Sequence, residues 1–255
     1  MGAPLRGHHH SAVAGLGPIE EKGGAGSSEH ARQKRMTGSE AFAHLLAEIR
    51  ACTICAPHLP LGPRPILRGQ PSARLLIISQ APGRRVHDTG LSFNDRSGDR
   101  LRGWLALDRE AFYDEARVAI LGMAFCYPGS DAKGGDLPPR PECAPRWHDR
   151  LRAYFSAIEL TLLVGSYAID YYLPGLRARS MTEVIARWRE FLPGLFVLPH
   201  PSWRTTRWLR DNPSFENEAL PELRARIAQV MSATPRVEPV PSQETSAAPG
   251  SRIER

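Results

Sequence analysis

Four short, continuous apolar runs constrain this chain more than any other feature: RLLIIS (74–79), RVAILG (117–122), ELTLLVG (159–165) and LFVLP (195–199). Each has the length of a strand, is bounded by turn residues and lacks polar alternation, so each needs cover on both faces. Helical patterns lie between them, around Leu101/Trp104/Leu105, Trp147/Leu151/Tyr154 and Val184/Trp188, and a last helix is expected near 219–231. An earlier helix opens with Ser39 as its cap, sets Phe42, Leu45, Leu46 and Ile49 at helical spacing and runs into Cys52. Strands alternating with helices predict an α/β chain with a parallel, helix-covered sheet. Ligands of such sheets bind beyond the carboxyl ends of the strands. The residues to read are therefore SQAPG (79–83), GMAFCYPG (122–129), GSYA (165–168) and HPSW (200–203).

A chain of 255 residues, 42% of them hydrophobic, can bury one sizeable core. Residues 1–37 and 232–255 show no strand or helix period and are rich in Gly, Pro, Ser and Ala, so both are expected to be disordered around a domain at 38–231. Met36, just ahead of the first periodic segment, is the expected start of translation, and the HHH at 8–10 is too short to claim as a metal site. No apolar run approaches the roughly 20 residues of a membrane helix, and no apolar segment follows the N-terminal charges. A cytoplasmic, monomeric protein away from membranes is expected. The formal charge of +6 and the isoelectric point near 9.4 suit a polyanion-binding protein, although a basic set made almost wholly of Arg also fits a GC-rich genome.

Cys52 and Cys55 form a C-x2-C, and Cys126 and Cys143 follow far along the chain. Four thiolates close a shell around zinc or an iron–sulfur cluster, and the spacing does not choose between them. A structural disulfide does not suit the expected compartment, and four unliganded core cysteines are the plain alternative. Taken alone, a strand ending in Pro-Gly is more often a tight turn than an anion site, and a lone His at a strand end more often structural.

Taken in order, SQAPG, Phe93 within TGLSFNDRSGDRLRGWL, Cys126 in FCYPG, Cys143 after PPRPE, GSYA and HPS resemble the uracil-DNA glycosylase superfamily, above all its family-four group. Members of that group read GEAPG, GxPFVGRAG, TN-x3-CRPP, a later Cys, and HPS or HPA. The resemblance covers residues 40–230. It implies a three-layer α/β/α sandwich with a central four-stranded parallel sheet, and a [4Fe–4S] cluster on Cys52, Cys55, Cys126 and Cys143, with zinc as the other occupant. It also implies hydrolysis of an N-glycosidic bond in DNA containing a damaged base: the nucleotide is extruded and its base stabilised as a departing anion.

By the same resemblance, His200 holds the base oxygen where charge develops, the amides near Gln80 and Ala81 add to that hole, and Phe93 stacks on the base. Ser202 and Thr205 are expected to reach phosphate, while Trp203, Arg204 or Arg207 wedges into the gap. Three departures matter. Gln80 stands where the group has Glu, and Ala81 offers no carboxylate, which leaves Asp88, Asn94 and Asp95 as candidate water-activating groups. Gly122 falls where an Asn normally reads uracil, so the base preference is open, with Asn94 or Gln80 left to read uracil or another deaminated base. RRVH (84–87) resembles a motif of a related group that bonds covalently to its product, but it sits at a different place, and trapping by His87 is not expected. A non-catalytic iron–sulfur DNA-binding module of the same fold is the main alternative, and a hydrolase of free nucleotides the third.

Overall fold

A computed structural model of the protein describes residues 37–232. The expected disorder of 1–37 and 232–255, and the start at Met36, fall outside the described residues but for Thr37 and Ser232. Compactness separates residues 1–41 from 42–255, and all four strands belong to the second unit.

The four apolar runs form the strands β1 (Leu75–Ser79), β2 (Val118–Gly122), β3 (Leu160–Val164) and β4 (Leu195–Leu198). All pairings are parallel, in the order β2-β1-β3-β4, with Ser79 beside Gly122 and Ile78 beside Leu163. Every strand residue is buried except the half-buried Thr161 and Leu195, which is what cover on both faces requires. The architecture is the expected α/β/α sandwich. Because the chain passes from β1 to β2 on one side and to β3 on the other, a crevice opens where the carboxyl ends of β1, β2 and β3 diverge.

Helix α1 (Gly38–Arg50) is capped by Thr37 rather than Ser39. The Thr37 hydroxyl accepts the Glu40 amide at 3.3 Å while the Glu40 carboxylate accepts the Thr37 amide at 2.9 Å, a reciprocal box that outcompetes a cap two residues later. Helices α2 (Arg84–Thr89), α3 (Arg96–Leu105), α4 (Arg109–Tyr113) and α5 (Cys143–Arg152) follow in the first half. Then come α6 (Ser166–Tyr172), α7 (Met181–Ala186), α8 (Thr206–Asp211) and α9 (Leu220–Ser232). The helix expected through Val184 and Trp188 breaks at Arg187, and Trp188 lies in a separate turn, its ring tilted 31° against that of Phe196 at 5.3 Å. Short helices α2, α4, α6 and α8 escaped the periodicity reading, since a helix of one or two turns shows too little of it.

Candidate active site

The carboxyl ends of all four strands open into one cleft of about 570 Å³, a size suited to a small ligand. Ser79–Gly83, Gly122, Gly165–Tyr167, Pro199, His200, Ser202 and Trp203–Thr205 line it, with Phe93, Asp95 and Asp136 from loops. Among the described residues, neither the Ala81 nor the Gly83 amide donates to an acceptor of the chain. Both residues line the cleft, so two unspent donors lie beside it, which is what a hole for developing negative charge needs.

His200 follows β4. Burial holds its imidazole down at about 4, only partly offset by the charge of Asp95, so the ring is neutral at pH 7. Its backbone is fixed by the Thr205 hydroxyl, which donates to the His200 carbonyl, and the whole loop is tied by Arg100, which donates to the Ser202 carbonyl at 2.6 Å and to Thr206 Oγ1 at 3.2 Å. The Thr205 hydroxyl, expected at phosphate, is here engaged with the His200 carbonyl. Arg100 went unnoticed because its partner lies 102 residues away.

Phe93 adopts φ 55°, a left-handed conformation that a bulky residue keeps only when its surroundings enforce it. They do so here. Gly98 lies so close that a Cβ would come within 1.7 Å of the Phe93 carbonyl oxygen, Arg102 donates to that oxygen at 3.3 Å, and the Tyr113 hydroxyl donates to the Ser92 carbonyl at 2.8 Å. The ring packs edge-on against Phe112 and borders the cleft.

At Gly122 a Cβ would stand 2.4 Å from the Ala124 carbonyl oxygen, so no side chain fits where an Asn was expected by analogy. Its carbonyl accepts the Nε2 proton of fully buried His148 at 2.9 Å, and the His148 Nδ1 accepts from the Tyr172 hydroxyl at 2.7 Å. The carbonyl can only accept, which fixes the tautomer. Burial keeps His148 at about 4, below its ordinary 6.5. The folded state therefore resists a proton that the unfolded chain takes up, and stability is lost as pH falls from 6.5 toward 4. Between pH 7 and pH 5 this one group should cost about 2 kcal/mol. Denaturant unfolding at the two values should show that loss, and His148→Gln should shrink it; an unchanged pH slope in the variant would contradict the assignment.

Other expected residues lie elsewhere. Asn94 is not in the cleft lining, and its side-chain oxygen accepts from Arg109 at 3.2 Å. Asp88 pairs with Arg84 at 3.0 Å, outside the cleft. Arg207 is exposed, 3.6 Å from Asp211, and does not line the cleft. Buried His87 does not line it either, and its Nδ1 has no partner among the described residues. Trp203, 77% exposed, and Arg204, whose guanidinium lies 5.6 Å from the Trp203 ring, remain at the mouth as expected.

Cys52, Cys55, Cys126 and Cys143 line a second, mainly apolar cavity with Ile49, Leu59, Pro65 and Trp147. Burial pushes the Cys126 thiol up to about 11 and Cys143 up to about 12, and the neighbouring cysteines add to both. The Phe125 amide donates to the Cys143 sulfur at 3.4 Å, and the Arg64 amide is directed at Cys126. No three His, Cys, Asp or Glu among the described residues close on a single metal ion.

A cleft lined by a neutral histidine, residues with unspent amides, an aromatic ring in an enforced conformation and an exposed tryptophan beside an arginine suits a base swung out of a nucleic acid, which is the work of a DNA glycosylase. The family model described as Uracil DNA glycosylase superfamily matches residues 67–224. The chain belongs to the uracil DNA glycosylase superfamily. A protein of Thermotoga maritima named Type-4 uracil-DNA glycosylase is 26% identical to it over 159 residues, 61% of this chain and 78% of that relative. No helix among the described residues is long and apolar enough to cross a membrane.

Proposed function

We propose that the domain at 38–231 acts on DNA as a monomer, hydrolysing the N-glycosidic bond of uracil or a related deaminated base and leaving an abasic site. One observation carries the reading: His200, neutral and clamped by Thr205, shares a cleft with the unspent Ala81 and Gly83 amides. These donors stabilise the base as the C1′–N bond breaks and charge moves onto it. Phe93 stacks on the base, Trp203 fills the gap it leaves, and Arg204 contacts the backbone. With Gly122 closed to any side chain and Asn94 held away, the Gln80 amide reads the base edge. A non-catalytic module of the same fold would have no use for such donors. Treating a uracil-containing oligonucleotide with the protein, then with alkali, should cut the strand at the uracil; tight binding without cleavage would contradict the proposal.

The four cysteines share one mainly apolar cavity, an enclosed set of sulfur donors that fits an iron–sulfur cluster. Cys52, Cys55, Cys126 and Cys143 would hold a [4Fe–4S] cluster, and it supplies a cross-link rather than chemistry to the cleft. The protein should carry iron and acid-labile sulfide and absorb broadly in the visible. Cys126→Ser should lose that absorption and melt roughly 10 °C lower; a colourless, equally stable parent holding zinc would overturn the cofactor.

A further inference from the structure

Hydrolysis needs a group that takes a proton from the attacking water, and the SQAPG turn has none: Gln80 is an amide and Ala81 carries a methyl. Among the described residues lining the cleft, the carboxylates are Asp95 and Asp136. Asp95 is committed to α3, whose Gly98 amide donates to Asp95 Oδ1 at 2.8 Å. Asp136 is not. Its Oδ2 lies 3.1 Å from the point where a side chain on Gly83 would begin, so the carboxylate overhangs the turn that carries the free amides.

The loop that presents Asp136 is rigidly made. Asp131 Oδ1 accepts the Lys133 and Gly135 amides, each at 2.8 Å, the Asp131 amide donates to the Gly135 carbonyl at 2.7 Å, and the Leu137 amide donates to the Gly129 carbonyl at 2.9 Å. Arg204 reaches across the mouth and rests against Gly135. Burial raises the Asp136 carboxyl above the usual range, the charge of Asp95 adds to this, and Arg204 opposes it. A carboxylate so raised is a stronger base near neutral pH than a solvated one.

We propose that Asp136 is the general base of the reaction, a role that rests on the glycosylase reading of the cleft. Its carboxylate takes one proton from water as the water oxygen bonds to C1′ of the extruded nucleotide. The C1′–N bond breaks with its electron pair leaving on the base, which His200 and the Ala81 and Gly83 amides hold. Asp136 then returns the proton to the base or to solvent, so that one water is consumed and one base released. The charged groups that act on Asp136 are Asp95 and Arg204, with Asp131 in its own loop.

The test is single-turnover release from a uracil oligonucleotide at pH 5 to 9, with DNA affinity measured alongside. Asp136→Asn should slow release about 100-fold or more, bind DNA as the parent does and lose the acid limb of the pH profile. Asp136→Ala, which opens space beside the turn, should regain rate with added formate. Release at the parent rate with the limb intact would overturn the proposal, and so would a loss wholly accounted for by weaker binding. If Asp95→Asn removes the limb while Asp136→Asn keeps it, the base is Asp95. A parent protein that releases no base contradicts the glycosylase reading itself, a failure distinct from these.

Discussion

His200→Ala should release base two to three decades more slowly than the parent while binding the same DNA with similar affinity. The imidazole is held at about 4 by burial and so remains neutral across the working range, which makes it a hydrogen-bond donor of fixed charge rather than an acid. Its backbone is clamped by Thr205 and its loop by Arg100, so the donor reaches the departing base with little reorganisation. A single donor aimed at developing charge is worth roughly 2.7–4 kcal/mol, the source of the expected 100- to 1,000-fold loss. Trp203 and Arg204, the proposed DNA contacts, are untouched by the change, so affinity should persist. Release at the parent rate would remove His200 from the mechanism.

Gly122→Ala should damage the fold as well as the site. The added Cβ meets the Ala124 carbonyl oxygen at 2.4 Å and the Gln80 carbonyl oxygen at 3.4 Å, both main-chain atoms that no rotamer can move aside. Relief requires shifting β2 away from the SQAPG turn, against the Met123 amide bond to the Ser79 carbonyl at 2.7 Å and the Ala124 amide bond to the Gln80 carbonyl at 3.1 Å. A loss of roughly 1–3 kcal/mol or more is expected, as for other overpacked core sites, together with loss of base release. Gly103→Ala is the control: nothing lies within 4 Å of its Cβ, and in the exposed face of α3 it should stabilise by roughly 0.5–1 kcal/mol. An active, fully stable Gly122→Ala protein would show that a side chain can be seated there after all.

The strands were legible because a both-faces-buried strand must be continuously apolar, and each run matched its strand to within a residue. The wall of the cleft was legible for a related reason: in a parallel sheet the residues just past the strands converge, so SQAPG, Gly122, GSYA and HPSW could be placed together before any coordinates. The four cysteines, far apart in the chain, line one cavity. What escaped notice arrives by long-range packing without a local pattern. Asp136 sits in DAKGGD, which reads as an ordinary solvent loop. His148 lies on α5 and looks like one more polar helix residue, yet it is fully buried against Gly122 and Tyr172. Nearness in sequence to Phe93 does not put the Asn94 side chain in the cleft lining, and Arg109 engages its oxygen.

The most direct test of the account is direct detection of free base under single-turnover conditions from single- and double-stranded oligonucleotides bearing uracil, hypoxanthine or xanthine. Release of at least one of these bases, with one abasic site formed per base, is the expected result, and the preferred base would report what the Gln80 amide reads in place of a side chain at Gly122. No release from any of them by protein that is folded, fully loaded and bound to the DNA would contradict it.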